Sequence, residues 1–558
     1  MKRIQLLAFA AFLFVFTAVD AQDNGLSITG EKNWLALPVK NGAQKKNLEL
    51  WVEGERKRWF DMELAEEDPD WYAYLDISDW KGKSMELRLL GAEGDARALS
   101  QVRQSDQDTN PGELYRERLR GQFHFSPKRG WLNDPNGLVY YQGEYHLFFQ
   151  HNPYGRQWGN MHWGHAVSKD LVHWKELDIA LYPDQLGPQF SGGAVVDEQN
   201  TSGLGTADNP PLVLFYTGAG TWEQGLAWST DGRNFQKPPR PIVPQINKDN
   251  RDPKVVWHEP TGKWVMVLYV EEDSGHYSMH FLTSADLKNW RPASVFTGGI
   301  GNDRYLFECP EFFELPVEGS DGETKWVLTG ANSQYAIGSF DGETFTPEAE
   351  RLNGQRGREF YAAQTFSNEP KGRRIEIGWR RTHTDQEGMP FNQSMSIPME
   401  LKLVRLEEGL RLTRTPVVEL ESLRKSARRL ESTRLSPGSA NPLAEVELEL
   451  VEIRMELEPG DARQIVLNVR GLDIIYNTAN SELSVDGVIA QAPLRGGKLD
   501  LILYVDRTGV ELFASKGSLF MPVNYNFNAA NQSYSLKTKG GTARITRLDV
   551  YELQSIWK

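Results

Sequence analysis

Apolar and polar positions alternate along most of this chain at a period of two, and the manner of alternation divides it into three regions. From about residue 23 to 115, short runs such as Leu48-Glu49-Leu50-Trp51-Val52, Trp71-Tyr72-Ala73-Tyr74-Leu75 and Met85-Glu86-Leu87-Arg88-Leu89 are separated by Gly, Pro and Asp. Alternation broken by turn residues predicts half-buried strands, here arranged as a small β-sandwich. The polar stretch from Gln101 to Gly112 reads as a linker.

The middle region carries a repeat. Ser-x-Asp followed four residues later by Trp or Phe occurs at Ser168, Asp170 and Trp174; at Ser229, Asp231 and Phe235; at Ser284, Asp286 and Trp290; and at Ser339, Asp341 and Phe345. The copies start 61, 55 and 55 residues apart. Apolar runs at Tyr145 to Phe149, Leu212 to Tyr216 and Trp264 to Tyr269 precede the first three. An all-β unit recurring at this spacing is what a four-stranded propeller blade produces. Residues 120 to 405 hold about five such periods, which predicts five blades, the fifth with a degenerate repeat. Beyond residue 415 the stretch from Pro416 to Leu430 reads as a short helix or an extended connector. Strand patterns then return at 451–457, 464–469, 499–505 and 510–513, predicting a second sandwich. The expected class is all-β: residues 22–115 an N-terminal sandwich-like domain, 116–410 a five-bladed propeller, and 411–558 a C-terminal sandwich.

Composition adds little to the fold and more to the context. The net charge of −14 argues against a nucleic-acid partner, because phosphate binding needs a basic footprint. The 17 Trp suit a chain that stacks flat sugar faces, although most are expected to be core anchors. Lys2 and Arg3, the apolar run from Ile4 to Val19 and the small-residue site at Val19-Asp20-Ala21 have the form of a signal peptide covering residues 1–21. Secreted or periplasmic localisation is therefore expected, with no membrane insertion after cleavage. No Cys lies near the cleavage point, so a lipoprotein is not expected. The single cysteine, Cys309, cannot form an internal disulfide. His124, His146, His162 and His165 read as core or hydrogen-bonded histidines; no metal site and no cofactor are expected.

Three carboxylates stand in sharply punctuated segments: Asp134 in the run from Trp131 to Gly137, Asp252 between Arg251 and Pro253, and Glu308 ahead of Cys309 and Pro310. They precede the repeat serines Ser168, Ser284 and Ser339 by 34, 32 and 31 residues. Each thus occupies nearly the same position in its own blade, and equivalent positions on inner strands converge on the propeller axis. Like charges held together raise the pKa of at least one member, which sets a protonated acid beside an ionised one, as glycosidic cleavage requires.

These segments resemble the signatures of glycoside hydrolase family 32, the invertases, inulinases and levanases. The resemblance runs through the Trp131 segment, Tyr145 to Tyr154, Trp158 to Trp174, Phe190 to Gly192, Arg251 to Pro253, Phe307 to Pro310, Glu359 to Phe366, Met395 to Pro398 and Asp506 to Phe513. It implies a retaining hydrolase of fructan or sucrose, with Asp134 as nucleophile, Glu308 as acid/base, and Asp252 with Arg251 holding the fructosyl hydroxyls. Trp131, Asn133, Gln150, Trp158, Phe190, Ser191 and Trp379 would line the fructosyl subsite, and end-acting cleavage is expected. The chain departs from the family pattern at Leu132, where Met is frequent, and at Gly193, where Ser is frequent. The N-terminal region lies outside the core family architecture and resembles an accessory domain that binds sugar or acts as a spacer. Two other readings fit a propeller with converging acids: an inverting glycosidase of arabinan or xylan chains, and a carbohydrate-binding propeller without catalysis.

Overall fold

The computed structural model describes residues 21–22, 25–91, 96–108, 114–273, 275–298 and 305–557. The expected signal peptide, through residue 20, lies outside the described residues. Among the described residues no helix is long and apolar enough to cross a membrane. Strands dominate throughout, and the chain divides into a unit ending at Thr109 and a larger one beginning at Asn110.

The first unit holds two antiparallel sheets. One orders Ala21–Gln22, Gly25–Thr29, Ser84–Leu90, Lys46–Val52 and Glu55–Met62; the other orders Trp71–Asp76, Trp34–Val39 and Arg103–Ser105. The period-two runs do what alternation dictates: Leu48, Leu50 and Val52 are buried, as are Met85, Leu87 and Leu89, while the residues between them are not. The reading of a linker from Gln101 is corrected. Arg103–Ser105 pairs with Trp34 to Ala36 as an edge strand. An edge needs only backbone partners, so it leaves no hydrophobic signature in the sequence.

The second unit begins its regular structure at Gly130. Five antiparallel sheets follow, and their innermost strands are Gly130–Tyr141, Ala194–Val196, Asp249–His258, Glu311–Pro316 and Phe360–Thr365. Each of these neighbours the next, and the fifth neighbours the first, so the ring closes. This is the expected five-bladed propeller. Closure is reinforced by Phe391–Asn392, which pairs in parallel with Gly130 and Trp131 on the first inner strand.

The repeat that revealed the blades turns out to be a turn motif. In every copy the Asp Oδ1 accepts two backbone N–H groups just downstream: Val172 and His173 on Asp170, Arg233 and Asn234 on Asp231, Lys288 and Asn289 on Asp286, Glu343 and Thr344 on Asp341. In the first three the Ser hydroxyl donates to the same oxygen. Side-chain oxygens that satisfy turn amides are the reason Asp is required there.

The stretch read as a short helix or an extended connector holds a 3₁₀ turn at Val418–Leu423 and then a strand, Arg424–Leu430, that pairs with Ala543–Leu553 as part of a two-sheet sandwich. Its interior is aliphatic, with Val451, Ile453, Met455 and Leu457 facing Ile465, Leu467 and Val469 in one cluster. A second cluster runs without interruption from Leu132, Phe149 and Phe360 of the propeller to Tyr504, Phe513, Phe520 and Tyr551 of the sandwich. The two bodies therefore share a core.

A buried charge cluster crosses the same junction. Both ring nitrogens of the fully buried His124 face carboxylates, Nδ1 on Asp506 at 2.7 Å and Nε2 on Glu511 at 3.0 Å. Burial and the Arg380 charge push the imidazole pKa down, but Glu511 and Asp506 outweigh them and the net shift is upward. Burial likewise raises the Asp506 carboxyl, yet His124 and the amides of Gln122 and Arg507 bring it to about 2. The signs set the pH dependence. A raised His pKa contributes stability below about 6.5, lost as pH climbs through the folded-state value; a lowered Asp pKa contributes stability above about 3.9, lost as pH falls towards 2. Melting temperatures of wild type and His124→Gln across pH 5 to 10 should differ most on the acid side of neutrality and converge as pH rises. A gap of constant width would show that His124 carries no charge in the fold.

Candidate active site

Each blade brings one side chain to the same end of the axis, and irregular backbone aims them. On the first inner strand three steps, from Leu132 to Pro135, lie opposite only two of the partner, from His151 to Phe149, and Asp134 sits in that bulge. The third inner strand repeats the device between Arg251 and Lys254, with Asp252 in the left-handed region at φ 64°. The fifth repeats it between Tyr361 and Gln364. Glu308 and Cys309, just ahead of the fourth inner strand, also have positive φ, 49° and 39°. For residues other than Gly this conformation costs roughly 1–2 kcal/mol each, and bulges and strain of this kind concentrate where side chains must be re-aimed. The second blade uses a break instead. Gln189–Phe190 and Ala194–Val196 pair with the same neighbour, Leu212–Gly218, and Ser191 stands between them. Gly192 is required in that break, because a Cβ there would lie 1.9 Å from the carbonyl oxygen of Phe215.

The three predicted acids do meet. The Cys309 thiol lies 3.4 Å from Asp252 Oδ2 and 3.8 Å from Asp134 Oδ2, and the Cys309 amide donates to Asp252 Oδ2 at 3.0 Å. Asp134 accepts from the Ser191 hydroxyl at 2.7 Å. Glu308 is held at both oxygens, by Arg251 Nη2 at 2.6 Å and by the Tyr361 hydroxyl at 2.7 Å. The backbone of Asp252 is tied back by its N–H to Thr217 Oγ1, which donates in turn to Gln224.

The electrostatics follow from crowding. Burial raises the Asp134 carboxyl above its ordinary range; Ser191 and Asn133 pull it partway back, and the Glu308 charge adds to the rise. Asp252 rises to about 7, driven by burial, opposed by Arg251, and raised further by Glu308 and Asp134. Burial and the three acids push the Cys309 thiol far up, so it is a neutral S–H wedge among carboxylates rather than a thiolate. Tyr361 is raised by burial and by Glu308, which keeps its hydroxyl a donor.

The expected binding residues form two aromatic walls. Trp131 and Trp379 meet edge-on at 5.9 Å, and Trp379 meets Tyr361 at 6.2 Å. Arg381 lies over both Tyr361 and Trp379, and the Trp131 indole N–H donates to Asn133 Oδ1. In the second group, Phe190 contacts both Trp158 and Trp222, each at 5.9 Å. Trp158 is 55% exposed, which no core anchor would be. Gln150 is buried, with its amide nitrogen donating to the Gln189 carbonyl. Tyr361, Arg381, Trp222 and Thr217 were not singled out from sequence. Tyr361 belongs to the blade without a repeat mark, so no phase pointed to it.

Carboxylates gathered at one end of the propeller axis, close to several aromatic rings, are suited to cleaving a glycosidic bond. Comparisons with known proteins agree. Residues 124–416 match the family model for the glycosyl hydrolases family 32 N-terminal domain, and residues 419–552 match that for the family 32 C-terminal domain. The chain is 39% identical over 496 residues to a levanase of Bacillus subtilis (strain 168), covering 81% of this chain and 72% of that protein. Among solved structures it is similar to exo-inulinase from Aspergillus awamori, with a TM-score of 0.70 and 28% identity over 79% of this chain and all of the other. It is similar also to the fructofuranosidase of Schwanniomyces occidentalis complexed with fructose, with a TM-score of 0.69 and 27% identity over 79% of this chain and 99% of the other.

Proposed function

This chain belongs to glycosyl hydrolase family 32, and on that premise we propose that it is an exo-acting, retaining β-fructosidase that releases fructose from levan, inulin or sucrose. The observation that carries the reading is the meeting of Asp134, Asp252 and Glu308 around Cys309, from three different blades.

In this proposal Asp134 attacks the anomeric carbon of the terminal fructosyl unit while Glu308 delivers a proton to the departing oxygen. The glycosidic C–O bond breaks as the Asp134 ester forms. Glu308 then takes a proton from water, and the resulting hydroxide displaces Asp134 with net retention. The transition state carries positive charge at the anomeric carbon, which the Asp134 carboxylate stabilises directly. Ser191, hydrogen-bonded to Asp134 Oδ2, fixes which oxygen attacks. Asp252 and Arg251 hold the sugar hydroxyls. Arg251 is hydrogen-bonded to Glu308, so this role requires the sugar hydroxyls to draw the guanidinium away and release Glu308 for proton transfer. Trp131, Trp379, Phe190 and Trp158 supply the walls, with Asn133 and Gln150 in the strands behind them.

The N-terminal segment of residues 1–21 is read as a signal peptide and the protein as secreted or periplasmic, in keeping with a relative described as an extracellular exo-inulinase. Residues 22–115 are read as an accessory domain, 116–410 as the catalytic propeller and 411–558 as its supporting sandwich. The shared core and the family match favour this hydrolase over an inverting arabinanase-like enzyme or a propeller without catalysis.

Incubation of the purified protein with levan, inulin and sucrose, with products resolved by chromatography, should show fructose as the product released from the chain ends. Oligosaccharides as the early products would refute end-acting cleavage, and silence on all three substrates would refute the reading altogether.

A further inference from the structure

The propeller has a second mouth. The inner strands run away from the acids, and at their far ends a cavity of about 360 Å³ opens between the second, third and fifth blades. Asp252 lies five residues before Trp257 on one inner strand, so the two ends are about 16 Å apart at roughly 3.3 Å per residue.

The axis between them is blocked. Lys254 Nζ pairs with Glu311 Oε1 at 2.9 Å, and Glu311 Oε2 accepts from both the N–H and the hydroxyl of Thr365, at 3.0 and 2.5 Å. All three side chains are buried and come from the third, fourth and fifth inner strands. The far cavity is therefore not a continuation of the pocket at the acids.

Its lining has a definite chemistry. The half-buried Trp257 stands edge-on to Trp264 at 5.0 Å, and its indole N–H donates to Glu259. Around this aromatic floor lie Glu198, Glu259, Asn368 and Arg374. Two carboxylates disfavour an anion, and Arg374 disfavours a cation. A neutral polyhydroxylated molecule uses all of them, because its hydroxyls both donate and accept and its ring offers an apolar face to the indole. The volume lies within the range of small-molecule pockets and suits one or two sugar rings.

We propose that this cavity is a second carbohydrate site, holding a neutral sugar unit of the polymer at a point remote from the bond being cut. A site of this kind keeps a long chain on the enzyme between cleavages and contributes nothing to a disaccharide, which cannot reach it from the acids. The identity of the sugar as a fructosyl unit rests on the function proposed above; the existence of the site does not.

The test separates the two. Full-length Glu308→Ala is titrated with a short inulin-type oligosaccharide by calorimetry and by tryptophan fluorescence. Two sites per chain are expected. In Glu308→Ala with Trp257→Phe, and in Glu308→Ala with Glu259→Ala, the remote site should weaken at least fivefold while the other is unchanged. On otherwise wild-type protein, Trp257→Phe and Glu259→Ala should leave sucrose turnover intact and raise KM for the polymer several-fold. Glu259 is exposed, so its variant also guards against loss of fold. One site in Glu308→Ala, or two undiminished sites in both double variants, overturns the proposal. Wild-type protein that cleaves none of the substrates but whose fluorescence responds through Trp257 would overturn the proposed function and leave the second site standing.

Discussion

Glu308→Gln is expected to lower kcat on sucrose by about 10²–10⁴-fold, the contribution typical of a positioned acid/base group. Glutamine keeps the size of the side chain and an oxygen for Arg251 or Tyr361, but it has no proton to give the departing oxygen and cannot take one from water. Both halves of the double displacement suffer. The fold should be untouched, because Glu308 is partly exposed and its partners come from the open end of the axis. Steady-state kinetics and a melting curve on the same preparation check this. Activity within threefold of wild type would show that the acid/base is another group, and Asp252, raised to about 7, is the one to examine next.

Lys254→Met should have the largest effect on stability. It removes one half of a buried ion pair and leaves the Glu311 carboxylate among the inner strands without its cation. Breaking such a pair costs about 3–5 kcal/mol, which lowers Tm by roughly 3–5 °C in a body of about 450 residues that shares one core. The double variant Lys254→Met with Glu311→Gln should regain most of the loss. The amide is neutral, and its oxygen still accepts from the Thr365 N–H and hydroxyl that Glu311 now satisfies. A single variant as stable as wild type would show that the pair is dispensable; a double variant no better than the single would show that Lys254 acts through its packing alone. The three tethered strands also position Asp252, Glu308 and Tyr361, so kcat in the single variant should fall together with Tm.

The blades and the acids were legible for one shared reason. Turn chemistry repeats with the fold, and the Asp of each Ser-x-Asp turn is irreplaceable because two backbone amides depend on it. The phase of Asp134, Asp252 and Glu308 against those turns followed. What the turns did not mark came only from the family resemblance, as Trp379 did, or was missed. Tyr361 lies in the one blade without the motif, although it is bonded to Glu308. Cys309 reads from sequence as a buried neighbour, which is correct, but its contact with two acids depends on backbone of positive φ that no pattern announces. The two departures from the family pattern have physical counterparts. Leu132 is fully buried in the shared core, where one apolar side chain serves for another. A Cβ at Gly193 would stand 3.2 Å from the Pro253 carbonyl oxygen, so Gly there spares the backbone beside Asp252 a tight contact. The edge strand at Arg103–Ser105 was missed because its polar residues bury nothing.

The seam that closes the ring also dictates when the enzyme can come into being. Phe391–Asn392 joins the first inner strand about 260 residues after Gly130, and His124 finds Asp506 only 382 residues further along the chain. Contacts this distant in sequence form late, because the intervening chain must first give up its freedom. A nascent chain that has emerged as far as the fourth blade already contains Asp134, Asp252 and Glu308, yet nothing seals the circle that gathers them. Catalytic competence thus arrives all at once, when the strands that close the ring and the sandwich that backs it dock.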